Sequence, residues 1–439
     1  MKNSRKFFVE TLGCPKNRVD SEILTASLIE KGWGATDIPA EADLIVINSC
    51  SFTEDARVEA IERFFKLNEG KKSGAKIALT GCLVQLHPDI KDMIPEADFI
   101  TGIDSLGNFA QIIEDNYKTK YTPDISEPSY IYSSADPRVL TLSPFTAYVK
   151  IADGCDNFCS YCSIPFIRGR YRERSVEDIV NEVETLVSNG VKEIILISQD
   201  TTKYGSVNGS SLTELLNELN AVNGNFKIRV MYLYPSGITS KLVHTINDLK
   251  KVVPYFEIPV QHISDTVLKQ MNRHYSGKNV AQTIDLVRKI CGKNCTLRTT
   301  FISSFPKETQ KDHEKLIDFI KKGYFDYAGV FKYSKEERTE SFKMRSLPSK
   351  TIERRFSEIE KVAYTTTEKS LDRFIGMEME ILYEGIDPQL QVPTGRGWHQ
   401  APEIDGITII ADITRQKPGT YIKCRIVSRD GVDFIAETI

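Results

Sequence analysis

Between Ala147 and Tyr333 one unit repeats six times, a short apolar run followed by an amphipathic or polar stretch. The runs cover 147–151, 192–197, 227–233, 255–260, 296–302 and 327–333. A chain that alternates in this way builds parallel strands joined by helical crossovers. Val176, Ile179, Val183, Leu186 and Val187 recur at helical spacing within 175–188, and 311–322 reads as a second crossover helix. Six units are fewer than the eight that close a full barrel. The expected core is therefore a partial (β/α)6 barrel, open on one side.

The first 120 residues carry the same alternation and predict an open parallel α/β sheet. Strands are expected at 6–12, 42–48 and 76–80, with a helix at 54–67. Another helix is expected from Asp20, whose carboxylate can cap it, with Ile23, Leu24, Leu28 and Ile29 on one face. Each strand runs straight into a cysteine: Cys14, Cys50 and Cys82. In such a sheet the carboxyl ends of the strands line one edge, where ligands bind. The three thiols therefore converge although 35 and 31 residues separate them. An isolated cysteine is usually a small buried apolar residue, but three at three strand ends point to a metal site.

Residues 121–144, with Pro123, Pro128, Pro137 and Pro144, read as a linker, and 351–373 reads as a charged helix leading out of the barrel. Short β runs punctuated by glycine follow to the end of the chain, as in a small antiparallel barrel of OB-like size. The expected division is an α/β unit at 1–120, the linker, the barrel at 145–370 and the terminal module at 371–439. That module holds 11 acidic against 7 basic residues, a net charge of -4, which makes it a poor phosphate binder.

Charge over the whole chain is near balance, 57 basic against 60 acidic residues, so no global basic field advertises nucleic acid. No apolar run approaches the roughly 18 residues of a membrane span. Leu12-Gly13-Cys14 is similar to the end of a lipoprotein signal, but the preceding apolar stretch is too short and polar for export. The expectation is a cytoplasmic enzyme without membrane partners. Nine cysteines in 439 residues are too sparse for a disulfide scaffold.

Cys155, Cys159 and Cys162 have the spacing C-x3-C-x2-C and follow the first barrel strand directly. Zinc sites pair C-x2-C motifs and need a fourth ligand, and no histidine occurs between residues 88 and 243. Three thiolates on one tight loop suit a cubane iron–sulfur cluster that leaves one iron free of protein ligands. A chelating substrate can dock there. With Tyr161 before the last cysteine, the motif resembles the signature of the radical S-adenosylmethionine (SAM) superfamily. That resemblance implies that the amino and carboxylate groups of SAM bind the open iron, and that an electron from the cluster releases a 5'-deoxyadenosyl radical.

TLGCPKN, NSC at 48–50, TGC at 80–82, KIADGCDNFCSYCSIPFIRG, ISQDTTKYG, PVQHIS, LRTTFISSFPKET, FKYSKEERT and GRGWHQAPEIDG together resemble the methylthiotransferase family over essentially the whole chain. Within it they resemble the branch that modifies an aspartate of small-subunit ribosomal protein twelve. The family order is an N-terminal methylthiotransferase domain, a radical SAM core and a TRAM domain. The resemblance implies two 4Fe-4S clusters, an auxiliary one on Cys14, Cys50 and Cys82 and a radical-generating one on Cys155, Cys159 and Cys162. It also implies two SAM molecules per turnover: one methylates a sulfide at the auxiliary cluster, and the other yields the radical that takes hydrogen from the aspartate β-carbon. A reductant of the flavodoxin or ferredoxin type is the expected electron partner. Ser304, Lys307 and Arg338 depart from the pattern, standing where relatives usually carry glycine.

Polar residues at barrel strand ends are further cofactor candidates: Tyr161 in the motif, then Gln199, Asp200, Gln261, His262 and Arg298. Asp200 is expected to accept hydrogen bonds from SAM and Arg298 to neutralise a carboxylate at the radical site. For each, a solvated rim residue is the plainer reading, and for His262 a hydrogen-bonded core histidine. Arg168, Arg170, Arg172 and Arg174 form either a solvated basic face or a dock for an acidic partner. Cys291, Cys295 and Cys424 are read as structural. Two rival functions share these features: a methylthiotransferase acting on a modified adenosine of tRNA, and a non-catalytic iron–sulfur electron carrier. Direct tRNA binding would ask for a basic terminal module; a carrier would need neither an open iron nor a barrel.

Overall fold

A computed structural model describes residues 5–412 and 415–439. Residues 1–4, at the head of the stretch read as too short for export, lie outside the described residues. The N-terminal unit is a parallel sheet in the order β2-β1-β3-β4-β5, formed by β1 (Lys6–Thr11), β2 (Gly34–Ala35), β3 (Leu44–Ser49), β4 (Lys76–Gly81) and β5 (Phe99–Thr101). Every residue of β3 is buried, as befits a central strand covered by helices on both faces. Burying Ile45, Val46 and Ile47 contributes about 1.5–3 kcal/mol each.

The first helix, α1 (Pro15–Glu30), starts five residues earlier than Asp20. Pro15 takes the first helical position, where its missing N–H costs nothing, and Cys14 is the N-cap. Asp20 therefore lies inside the helix, 2% exposed, and caps nothing. The second helix, α2 (Glu54–Gly70), is capped by Thr53, whose side chain accepts from the Ala56 N–H. The strands β2 and β5 have only two and three residues and have no counterpart in the predicted set.

The barrel strands are β6 (Thr146–Lys150), β9 (Glu193–Ile197), β10 (Lys227–Val230), β11 (Tyr255–Glu257), β12 (Thr296–Ser303) and β13 (Tyr327–Lys332). A short hairpin, β7 (Ala152–Asp153) with β8 (Arg172–Glu173), brackets the cysteine motif. The six parallel strands form two sheets, β6-β9-β10 and β11-β12-β13, linked by the bond from Leu233 N to Glu257 O. No pairing joins β6 to β13 among the described residues, so the barrel is partial, as expected. Residues 121–144 hold no helix or strand but are pinned: Arg138 bridges Glu22 and Glu182, and the Tyr132 hydroxyl donates to Glu182.

The long helix Ser349–Leu371 leads to a closed barrel of β14 (Glu378–Ile386), β15 (Pro393–Gly397), β16 (Thr408–Ile410), β18 (Asp433–Thr438) and β17 (Thr420–Asp430). Among the described residues no helix is long and apolar enough to cross a membrane. Buried Glu193 on β9 ties the terminal barrel to the core, 2.8 Å from Arg229 and 2.7 Å from Arg396. Burial pushes its carboxyl up, but the two guanidinium groups outweigh this and hold it below the usual carboxylate range. A depressed carboxylate stabilises the fold above its unfolded value, and that stability is lost as pH falls from about 4.3 towards the folded value. We expect Glu193→Gln to cost about 3–5 kcal/mol at neutral pH. Denaturant titrations at two pH values check this: the gap to wild type narrows below about pH 4.

Candidate active site

The carboxyl ends of adjacent strands β1, β3 and β4 bring Cys14, Cys50 and Cys82 to one sheet edge. Gly13 makes the approach possible: its φ is +94°, and a Cβ there would lie 2.7 Å from Cys50 Sγ. Asn17 knits the loops together. Its amide nitrogen donates to Leu12 O and Ser49 O at 2.9 Å each, and its oxygen accepts from Cys82 Sγ at 3.3 Å. Burial pushes the Cys82 thiol up to about 12, and the Cys50 thiol rises for the same reason.

Cys155, Cys159 and Cys162 lie on the loop between β7 and β8, each partly exposed. Burial pushes the Cys155 thiol up to about 11. Arg273 Nη1 donates to Cys159 Sγ at 3.4 Å. Among the described residues no three His, Cys, Asp or Glu side chains converge closely enough to hold a single metal ion. A four-iron cube takes soft thiolates on its separate iron corners, and two all-thiol triads are a donor set of that kind.

The loop 303–309 faces the motif. The Tyr161 ring meets Phe305 edge-on at 6.3 Å. Ser304 and Lys307 have φ of +63° and +67°, and Arg338 also has +67°. The three departures from glycine thus occupy the left-handed backbone that glycine adopts freely. Glu308 holds the loop, accepting from Ser304 N at 3.0 Å while pairing with Arg355 at 2.8 Å. Lys307 is exposed, so Lys307→Gly relieves strain without removing contacts. We expect a gain of about 0.5–1 kcal/mol, read from the denaturant midpoint.

Among the other candidates, Asp200 accepts from Asn157 of the motif loop at 2.8 Å and from Thr202. Gln199 donates to Asp153 at 2.7 Å, and its oxygen has no partner among the described residues. Gln261 has φ of +63° at the end of a strand-like stretch and donates to Pro259 O at 3.5 Å. His262 is wholly buried, accepts from Ser264 N at 3.0 Å and stands 3.6 Å from Glu308, as a core histidine would. The carboxylate that Arg298 meets is internal: Asp405 of the terminal module, at 2.6 Å.

The arginine run is neither a solvated face nor one surface. Arg168 and Arg174 are 2% and 4% exposed, Arg170 faces solvent beside Asp156, and Arg172 donates to backbone carbonyls. Their side chains are divided by the turn and by β8. Arg168 reaches from the β7–β8 loop to the N-terminal cysteines. It follows the motif loop, yet its guanidinium lies 2.7 Å from Asp20, 2.6 Å from Asn17 and 3.6 Å from Cys82 Sγ. Lys150 joins the same cluster between Asp20 and Asp153. Cys291, Cys295 and Cys424 are buried away from both triads in packed elements.

Three family models match the chain: the Radical SAM superfamily over residues 149–320, Uncharacterized protein family UPF0004 over 6–102 and the TRAM domain over 375–439. The "Ribosomal protein uS12 methylthiotransferase RimO" of Syntrophus aciditrophicus is 37% identical over 443 residues, covering 98% of each chain. Its namesake from Dictyoglomus thermophilum is 40% identical over 413 residues, covering 91% of each. In fold, the chain is similar to the radical SAM methyltransferase TsrM from Kitasatospora setae with tryptophan and a SAM analogue bound. The TM-score is 0.54 at 14% identity, over 74% of this chain and 73% of that one. The radical SAM enzyme OxsB has a TM-score of 0.50 at 11% identity, over 82% of this chain and 56% of that one.

Proposed function

The chain belongs to the family of radical SAM methylthiotransferases typified by RimO, and on that premise we propose that it inserts a methylthio group at the β-carbon of an aspartate in small-subunit ribosomal protein twelve. The observation that carries the reading is Arg168, which connects the loop of one cysteine triad to the edge of the other. A buried residue of the loop that carries one triad, in contact with a cysteine of the other, suits a reaction whose sulfur and radical must reach the same carbon. We assign an auxiliary 4Fe-4S cluster to Cys14, Cys50 and Cys82, and the SAM-binding cluster to Cys155, Cys159 and Cys162. When bound, these groups supply an organic radical and a methylthio donor.

The protein's part is to hold, orient and shield. The unpartnered oxygen of Gln199 offers an acceptor for the SAM amino group, and Asp200 braces the motif loop through Asn157. Tyr161 and Phe305 pack that loop against 303–309, which Glu308 fixes in shape. The acidic terminal module suits a basic ribosomal protein and repels the phosphates of tRNA. Mass spectrometry of ribosomal protein twelve from cells with and without this gene tests the proposal. One aspartate should gain one methylthio group, and persistence of that group without the gene would reject the assignment.

A further inference from the structure

Of the seven lysine and arginine side chains that are buried among the described residues, six have a carboxylate within 4.0 Å. Lys16 has none. It is 8% exposed, in the first turn of α1 and two residues past Cys14. Its ammonium lies 3.0 Å from the centroid of the Tyr232 ring. That ring holds a cation without neutralising it. Tyr232 itself is strained, with φ of +62°, just beyond β10 at the carboxyl rim of the barrel. The strain directs its N–H to Glu257, 3.0 Å away.

The titratable groups around the ammonium are Cys14 on its own side and Glu257, Asp153 and Arg168 on the barrel side. Asp153 is taken up by Arg168, Lys150 and Gln199. Glu257 lies beyond ion-pair distance and accepts from Tyr232. A buried cation left in this state is costly unless an anion completes it. Lys16 thus stands between Cys14 of the N-terminal triad and Tyr232 at the barrel rim, the two sides that the proposed reaction must bring to one carbon.

We propose that Lys16 receives the carboxylate of the substrate's acidic side chain and so selects an acid over its amide. The inference rests on the proposed function and deepens it, since it names the group that reads the aspartate. Lys16 touches the side chain being modified, and α1 ties its position to that of Cys14.

The test uses the full reconstituted chain and two labelled peptides spanning the modified aspartate, one with asparagine in its place. Anisotropy measures their binding, and iron content verifies cluster loading in each variant. Wild type should favour the acidic peptide by about tenfold or more, because a site built for one polar partner rejects its isostere strongly. Lys16→Met should lose that ratio, and Lys16→Arg should keep part of it. Equal binding of both peptides by wild type overturns the proposal without any variant. So does a Lys16→Met chain that keeps the ratio, or one in which only SAM affinity falls. Wild type that prefers the acidic peptide but never methylthiolates it overturns the proposed function and leaves the role of Lys16 standing.

Discussion

Alanine at Cys155, Cys159 and Cys162 together should abolish SAM cleavage and methylthiolation while leaving the N-terminal triad loaded. Iron should fall from about eight to about four per chain, because each triad carries its own four-iron cluster. The reciprocal replacement of Cys14, Cys50 and Cys82 should give the same iron loss but spare reductive cleavage of SAM. The asymmetry follows from placement. The first group sits on the loop beside Asp200 and 303–309, the second on a separate sheet edge that Arg168 reaches. Iron analysis with chromatography of 5'-deoxyadenosine reads both outcomes. Equal loss of SAM cleavage in both triple variants would mean that the triads do not hold independent clusters.

How much of this was legible depends on the range of the interactions. The cysteine triads were, because an apolar run ending in cysteine is local and the parallel sheet does the gathering. The six barrel strands were legible for the same reason. The start of α1 was misplaced because Asp20 has the chemistry of a cap and uses it elsewhere. Its partners, Lys150 and Arg168, lie 130 and 148 residues away. The arginine run misled in the same way: counting charge along the chain does not show which guanidinium groups turn inward. Lys16 gave no signal at all, since its isolation exists only where three distant segments meet. Ser304, Lys307 and Arg338 show the converse, where departures from glycine mark left-handed backbone that composition alone does not reveal.

Arg168→Met should be the most damaging single substitution outside the cysteines. It leaves Lys150 as the one remaining cation for both Asp20 and Asp153, inside a cluster whose members are all below 4% exposed. Removing one partner from buried ion pairs costs about 3–5 kcal/mol, because the remaining charges stay desolvated. Asn17 also loses a donor at 2.6 Å, which loosens the clasp on the loops carrying Cys14 and Cys50. Arg168→Lys should recover part of the stability but not the forked contact to Asp20 and Asn17. Because Arg168 donates to Cys82 Sγ, the methionine variant should also lower the reduction potential of the N-terminal cluster, as hydrogen bonds to sulfur favour the reduced state. Denaturant unfolding and a redox titration followed by electron paramagnetic resonance separate the two effects. A variant as stable as wild type with an unshifted potential would show that Arg168 is dispensable and that the remaining ion pairs, Lys150 with Asp20 and Arg138 with Glu22, hold the two halves without it.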